Sequence, residues 1–143
     1  MNLKPALICA LLCGTVQPAV AADETTIGAA VSVELNAATE ADSGCTLSFL
    51  VINGHPLPIE KVVYETVLFD SAGQVDRLTL FDFGALPAAR PRVRQFTIPG
   101  LACADLGMIL INGASTCDAP DLGASACEDG LITGTRTEIE VQG

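Results

Sequence analysis

Cys45, Leu47, Phe49 and Val51 alternate with Thr46, Ser48, Leu50 and Ile52, and this period of two restricts the fold more than any other feature. An extended chain turns successive side chains to opposite sides, so alternation lets one side enter a core while the other meets water. The pattern recurs. Val31, Val33 and Leu35 alternate with Ser32 and Glu34, the segment 61–69 is rich in Val, Thr and Tyr, and Val75 to Phe81 alternates again. Arg92 to Ile98, Gly107 to Asn112 and Thr135 to Val141 complete the set. In the last, Thr137, Ile139 and Val141 share one side, and Arg136, Glu138 and Glu140 the other. No long segment has a helical period; Ala37 to Ser43 reads as a single helical turn.

Seven short strands divided by Gly, Pro, Asn and Asp predict an all-β, antiparallel, immunoglobulin/fibronectin-III-like sandwich. Asn53-Gly54 and Asn112-Gly113 are strong turn dipeptides. His55-Pro56-Leu57-Pro58 forces an extended or kinked connection, because each proline fixes φ and lacks a donor. Asp70-Ser71-Ala72-Gly73 fits a turn in which the aspartate binds its own backbone. The stretch Arg92-Val93-Arg94-Gln95-Phe96 holds a conflict, since Arg92, Arg94, Phe96 and Ile98 share parity. Either a bulge near Gln95 turns Val93, Phe96 and Ile98 inward together, or the arginines sit at the sandwich rim with buried stems.

The amino terminus, MNLKPALICALLCGTVQPAVAADE, has the layout of a secretory signal peptide. Lys4 is the basic region, Pro5 to Val16 the apolar region, and Ala19-Val20-Ala21 a small-x-small cleavage site. The apolar run is short for a membrane span. We therefore expect a leader over 1–22 and one domain over 23–143, with 22–30 a flexible lead-in, no transmembrane anchor after cleavage, and a periplasmic or secreted address. Loss of Lys4 leaves six basic residues against seventeen acidic ones, a net charge of −11. Such a chain repels phosphate backbones and anionic lipid, so nucleic acid is not an expected partner.

Cys45, Cys103, Cys117 and Cys127 remain after cleavage, and an even count in an exported chain predicts two disulfides. Of the three pairings, Cys45–Cys103 with Cys117–Cys127 is preferred. The first ties an early strand to a late one, and the second closes a small loop near 117–127. A zinc site would want CxxC pairs and more than the single histidine present.

From Cys45 to Ile98 the chain runs through a strand ending in "VIN", the connection "GHPLPIEK", a strand ending in "VLFDSAGQV", and "LPAARPRVRQFTI". In this order it resembles the FxLYD-type and related late-embryogenesis-type sandwich domains. The likeness rests on an apolar strand closing on aromatic-Asp, a glycine turn and a return strand, here Leu68 to Val75. Leu86-Pro87-Ala88-Ala89 departs from the pattern by lacking its glycine. The resemblance implies a fibronectin-III-like fold and an exported or envelope-associated interaction role, not a reaction. It leaves the tail from Cys103 to Cys127 outside. The layout is similar to small periplasmic proteins of Gram-negative bacteria.

Several residues invite chemistry. His55, between Gly54 and Pro56, reads as a solvated turn residue rather than a general base, since no G-x-S-x-G elbow accompanies it. The cysteines lack the close CxxC pair of a thiol oxidoreductase. Asp70 and Asp82 would make a hydrolase only if the fold set them across a cleft; a turn explains Asp70, and Asp82 is expected to cap the next turn. Asp118, Asp121, Glu128 and Asp129 crowd the disulfide loop, and oxygen ligands there are the alternative, calcium-binding reading, although the D-x-[DN]-x-[DN]-G spacing is missing. Arg77, Arg90, Arg92 and Arg94 carry most of the positive charge. They serve either as edge-strand protection or as a docking strip for an acidic partner. The reading that follows is a non-catalytic envelope-assembly or interaction module, without cofactor, meeting an unidentified envelope protein.

Overall fold

The structure, a computed structural model, describes residues 27–143; the expected leader lies outside them. Eight strands form among these residues: β1 Val31–Ala41, β2 Gly44–Asn53, β3 Ile59–Asp70, β4 Val75–Leu86, β5 Arg92–Pro99, β6 Leu106–Asp118, β7 Ile132–Thr135 and β8 Glu140–Gln142. A 3₁₀ turn, Cys103–Asp105, precedes β6. Two four-stranded sheets face each other, the first ordered β5-β2-β1-β7 and the second β4-β3-β6-β8. The expected all-β sandwich is the architecture found. Among the described residues no helix is long and apolar enough to cross a membrane.

Alternation builds the core. In β2, Cys45, Leu47, Phe49 and Val51 are buried and the residues between them half-buried. Val31, Val33 and Leu35 of β1 join them, with Tyr64 and Leu68 of β3, Phe81 and Phe83 of β4, and Ile109 of β6. The aromatic rings interdigitate across the sheets, Phe49 lying 5.7 Å from both Phe81 and Phe83 between centroids. Burial of one such side chain contributes about 2–3 kcal/mol.

Four expectations need correction. The expected seventh strand, 135–141, is two strands, β7 and β8, in different sheets. Thr135 and Thr137 divide them: Thr137 N donates to Thr135 Oγ1 and Ile139 N to Thr137 Oγ1, both at 3.0 Å. These local bonds replace ladder bonds and turn the chain. The sheets are also not wholly antiparallel, because β7 runs parallel to β1 and β8 parallel to β6. Ala37 to Ser43 forms no helical turn; β1 continues to Ala41 and pairs with β2 down to Ala41↔Gly44. Asn112-Gly113 is no hairpin turn but an irregularity within β6, where the register with β3 shifts on either side of Gly113 and φ reaches 153°. Of the lead-in expected over 22–30, only 27–30 is described, and Ala30 is buried with its carbonyl taken by Gly54 N at 2.8 Å.

Local chemistry sets the connections. Asp70 Oδ1 accepts from Ala72 N and Gln74 N at 2.9 and 2.8 Å, which makes the β3–β4 hairpin as expected. Gly44, at φ 148°, lies so near β5 that a Cβ would stand 1.9 Å from the Ile98 carbonyl oxygen. Asn53, fully buried, is the hub of the β2–β3 crossing: its Nδ2 donates to the carbonyls of Leu57 and Leu86 at 2.9 and 3.0 Å. Its Oδ1 accepts from His55 N at 2.9 Å.

Both disulfides form with the preferred pairing, Cys45–Cys103 and Cys117–Cys127. They close loops of 58 and 10 residues; on chain entropy the longer contributes about 4 kcal/mol and the shorter about 3. We expect the oxidised protein to weigh about 4 Da less than the reduced one by intact mass spectrometry. Asn53→Ala should lower the unfolding free energy in urea by about 2–3 kcal/mol, since two buried bonds and one part-buried bond lose their partner.

Candidate functional site

The outer faces of the two sheets differ. On the first, Thr46 and Thr97 share a hydroxyl bond at 2.9 Å, and Gln95 Nε2 donates to Ser48 Oγ at 2.9 Å. Glu34 on β1 accepts from Arg136 Nε at 2.7 Å; that bond above all holds the Glu34 carboxyl below its ordinary range, against a smaller opposing effect of burial. Among these polar groups the face also carries apolar residues: Val93, 61% exposed, pairs with half-buried Leu50, and Ile132, 42% exposed, lies in the row of Ser32 and Ile52. Apolar residues interspersed with polar ones in this way are ordinary on a protein surface.

The second sheet is different. In β3 Tyr64, Thr66 and Leu68 are fully buried towards the core, so Glu65, Val67 and Phe69 lie on the outer side, where neighbouring strands leave Val67 only 9% exposed. Val67 pairs with Leu78 of β4 on one side and Leu110 of β6 on the other, making a cross-strand apolar row. The next row is Val75, Phe69 and Met108. Leu80 continues the block opposite Glu65. Val75, Leu78 and Leu80 are 56, 61 and 59% exposed, whereas β4 buries Phe81 and Phe83 on its other side. A contiguous apolar face of this kind is less common on a folded domain than a scattered leucine.

The four arginines of the expected strip do different things. The pairing of β2 with β5 is regular from Gly44↔Pro99 to Val51↔Arg92, so no bulge forms at Gln95 and Val93 points to solvent. The rim alternative holds. Arg94 reaches from β5 across the open side of the sandwich, donating from Nε to the Phe83 carbonyl at 2.7 Å and from Nη2 to the Ala85 carbonyl at 3.2 Å. Arg77 reaches the other way, from β4 to the Pro99 carbonyl at 2.9 Å. Between these straps lies a groove of about 360 Å³ whose walls include Phe81 and Phe96, two rings stacked at 4.4 Å. Arg90 is exposed, and Arg92 donates only to the neighbouring Pro91 carbonyl. Two of the four guanidiniums are thus spent on edge carbonyls that have no strand partner.

The other candidates are also committed to structure. His55 is buried, not solvated; its Nε2 donates to the Ala126 carbonyl at 2.7 Å, because the 119–131 loop folds over it. Tyr64 donates to the Cys127 carbonyl at 2.6 Å. Burial, with the Glu128 charge adding to it, pushes its phenol far above the ordinary range, so it stays a neutral donor. Glu128 accepts from Ala114 N at 2.8 Å and Asp129 from Ser125 Oγ at 2.6 Å. Asp118 stands exposed at the end of β6, and Asp121 is exposed in the loop. Among the described residues no three His, Cys, Asp or Glu side chains gather as metal ligands. Asp82 Oδ1 accepts from Gly84 N at 2.9 Å and Asp70 is held in its turn; β3–β4 pairing puts them at opposite ends of the hairpin.

Comparison with known proteins adds no name: no family model matches the chain, nor does any curated protein or solved structure. Charge and catalytic motifs in the sequence do not point to the apolar face. Its signal was the pair of Leu-Phe doublets, Leu68-Phe69 and Leu80-Phe81, since two adjacent apolar residues in a strand serve both faces.

Arg94→Met should cost about 1–2 kcal/mol in urea unfolding, because two edge carbonyls lose a charged donor. Arg90→Met should change stability by less than about 0.5 kcal/mol.

Proposed function

We propose that this chain is an exported, non-catalytic module that meets a protein partner in the cell envelope through the outer face of its second sheet. The observation that carries the reading is the contrast between the two outer faces. One intersperses Leu50, Ile52, Val93 and Ile132 with hydrogen-bonded Thr46, Ser48, Gln95, Thr97 and Glu34, and the other presents Val75, Leu78 and Leu80 to solvent as one block beside Val67, Phe69 and Leu110. Exposure of that much apolar surface is unfavourable unless something covers it.

The two disulfides and the leader-like amino terminus support an oxidising compartment, periplasmic or extracellular. The fate of the reactive side chains supports a non-catalytic role. His55, Tyr64, Asp70 and Asp82 each hold backbone groups, and the four cysteines of 23–143 are paired. A nucleophile or general base needs its reactive atom free within reach of a substrate.

The test is photocrosslinking in cells that export the full chain. A photoreactive amino acid at Leu78 or Leu80 should give a discrete higher-mass adduct, while the same group at Val93 should give none. Adducts at Val93 alone, or at neither face, would remove the proposal.

A further inference from the structure

The apolar block on the second sheet is framed by carboxylates. Glu140 of β8 stands beside Met108, Glu65 of β3 beside Leu80, and Asp82 of β4 beside Val63. Lys61 is the cation among these outward positions, and it is paired with Asp82 at 3.4 Å. Glu65 and Glu140 have only neutral side-chain donors, Asn112 Nδ2 at 2.6 Å and Gln142 Nε2 at 2.5 Å. Their negative charge therefore stays uncompensated at the border of the apolar surface. The block is three strands wide, which at the usual strand spacing is about 10 Å, the diameter of one helix.

We propose that the partner surface seated here is a basic amphipathic helix, an apolar stripe bordered by lysine or arginine. The inference rests on the docking role proposed above and adds the chemistry of the partner. The stripe covers the rows built on Val67 and Phe69, and its flanking cations meet Glu65 and Glu140. Opposite charge at such a rim sets orientation and speeds encounter more than it adds affinity. The same frame disfavours other occupants. A second copy would bring two sets of Glu65, Asp82 and Glu140 into one interface, on chains that each carry −11 after leader removal. An anionic leaflet meets the same repulsion.

The experiment uses the oxidised protein, residues 23–143, with three labelled synthetic peptides followed by fluorescence anisotropy. One carries leucine at helical spacing with lysine at the borders, the second replaces lysine by glutamate, and the third replaces leucine by serine but keeps the lysines. The leucine–lysine peptide should bind, weakening as salt rises, and the leucine–glutamate peptide should not. The serine–lysine peptide should bind at least about tenfold more weakly. Leu80→Ser should lower affinity for the leucine–lysine peptide about tenfold. Glu65→Gln and Glu140→Gln should each lower it about two- to fivefold. Val93→Ser on the first sheet should leave it unchanged, and all four positions are exposed or half-exposed, so the variants fold.

Equal binding of both lysine peptides would mean that charge alone attracts them, and would overturn the inference. Equal binding of the leucine–glutamate peptide would overturn the basic partner but leave the docking face standing. A dimer in sedimentation that Leu80→Ser dissociates, with no peptide bound, would make a second copy the occupant and overturn the partner's chemistry. No peptide binding, with monomer in sedimentation and no adduct from Leu78 or Leu80, would remove both proposals.

Discussion

Two hydrogen-bonded sheets can be held together only by side chains, because each ladder uses its backbone groups in its own plane. Here the packing of Phe49 and Phe96 from the first sheet between Phe81, Phe83 and Tyr64 from the second meets that constraint. Phe49 touches three other rings at centroid distances of 5.7, 5.7 and 6.0 Å. Neither disulfide does this work. Cys45–Cys103 fastens the start of β2 to the turn before β6, and Cys117–Cys127 fastens the end of β6 to the following loop. The rings set the distance between β4 and β5, and that distance fixes what the guanidiniums of Arg77 and Arg94 can reach.

The two long sides of the sandwich are closed in different ways. On one, the chain itself crosses: β7 adds to the first sheet, the threonine-rich turn reverses direction, and β8 adds to the second. On the other, β4 and β5 are unpartnered edges, and arginine side chains take some of the carbonyls that a further strand would have used. Charged side chains at an edge also discourage addition of foreign strands. With the edge occupied in this way, the largest apolar block left open to solvent is the broad outer face of the second sheet. That face is backed directly by the aromatic core, since Leu80 and Phe81 are chain neighbours on opposite sides of β4.

Much of this was legible in the sequence, where the governing interaction is local or periodic. The alternation of β2 gave its buried face without ambiguity. Asp70 announced its turn, because an aspartate before Ser-Ala-Gly bonds its own backbone. The disulfide pairing was one of three the sequence allowed; the preferred one, joining an early strand to a late one and closing a small loop, is the one found. The misses have a common cause, which is competition from contacts distant in sequence. His55 looks solvated in its Gly-Pro setting, but a loop more than sixty residues later covers it. Asn112-Gly113 has the composition of a hairpin turn, yet pairing with β3 carries β6 through it to Asp118. Thr135 to Val141 keeps the parity of a single strand on both sides of its break, so periodicity alone could not show that Thr135 and Thr137 would bend the chain. The apolar face was legible in principle. Leu68-Phe69 and Leu80-Phe81 each place one large apolar residue inward and one outward, but only the register shows that the outward ones are neighbours.

The claim on which the rest turns is that an apolar sheet face stands open to water in the isolated protein. Methyl NMR with a neutral, soluble paramagnetic agent reads this directly. The account predicts that the methyl signals of Leu78 and Leu80 broaden as strongly as those of Val93, while those of Val33, Leu47 and Ile109 stay sharp. Protection of Leu78 and Leu80 to the level of Leu47 would show the face already covered, and would contradict it.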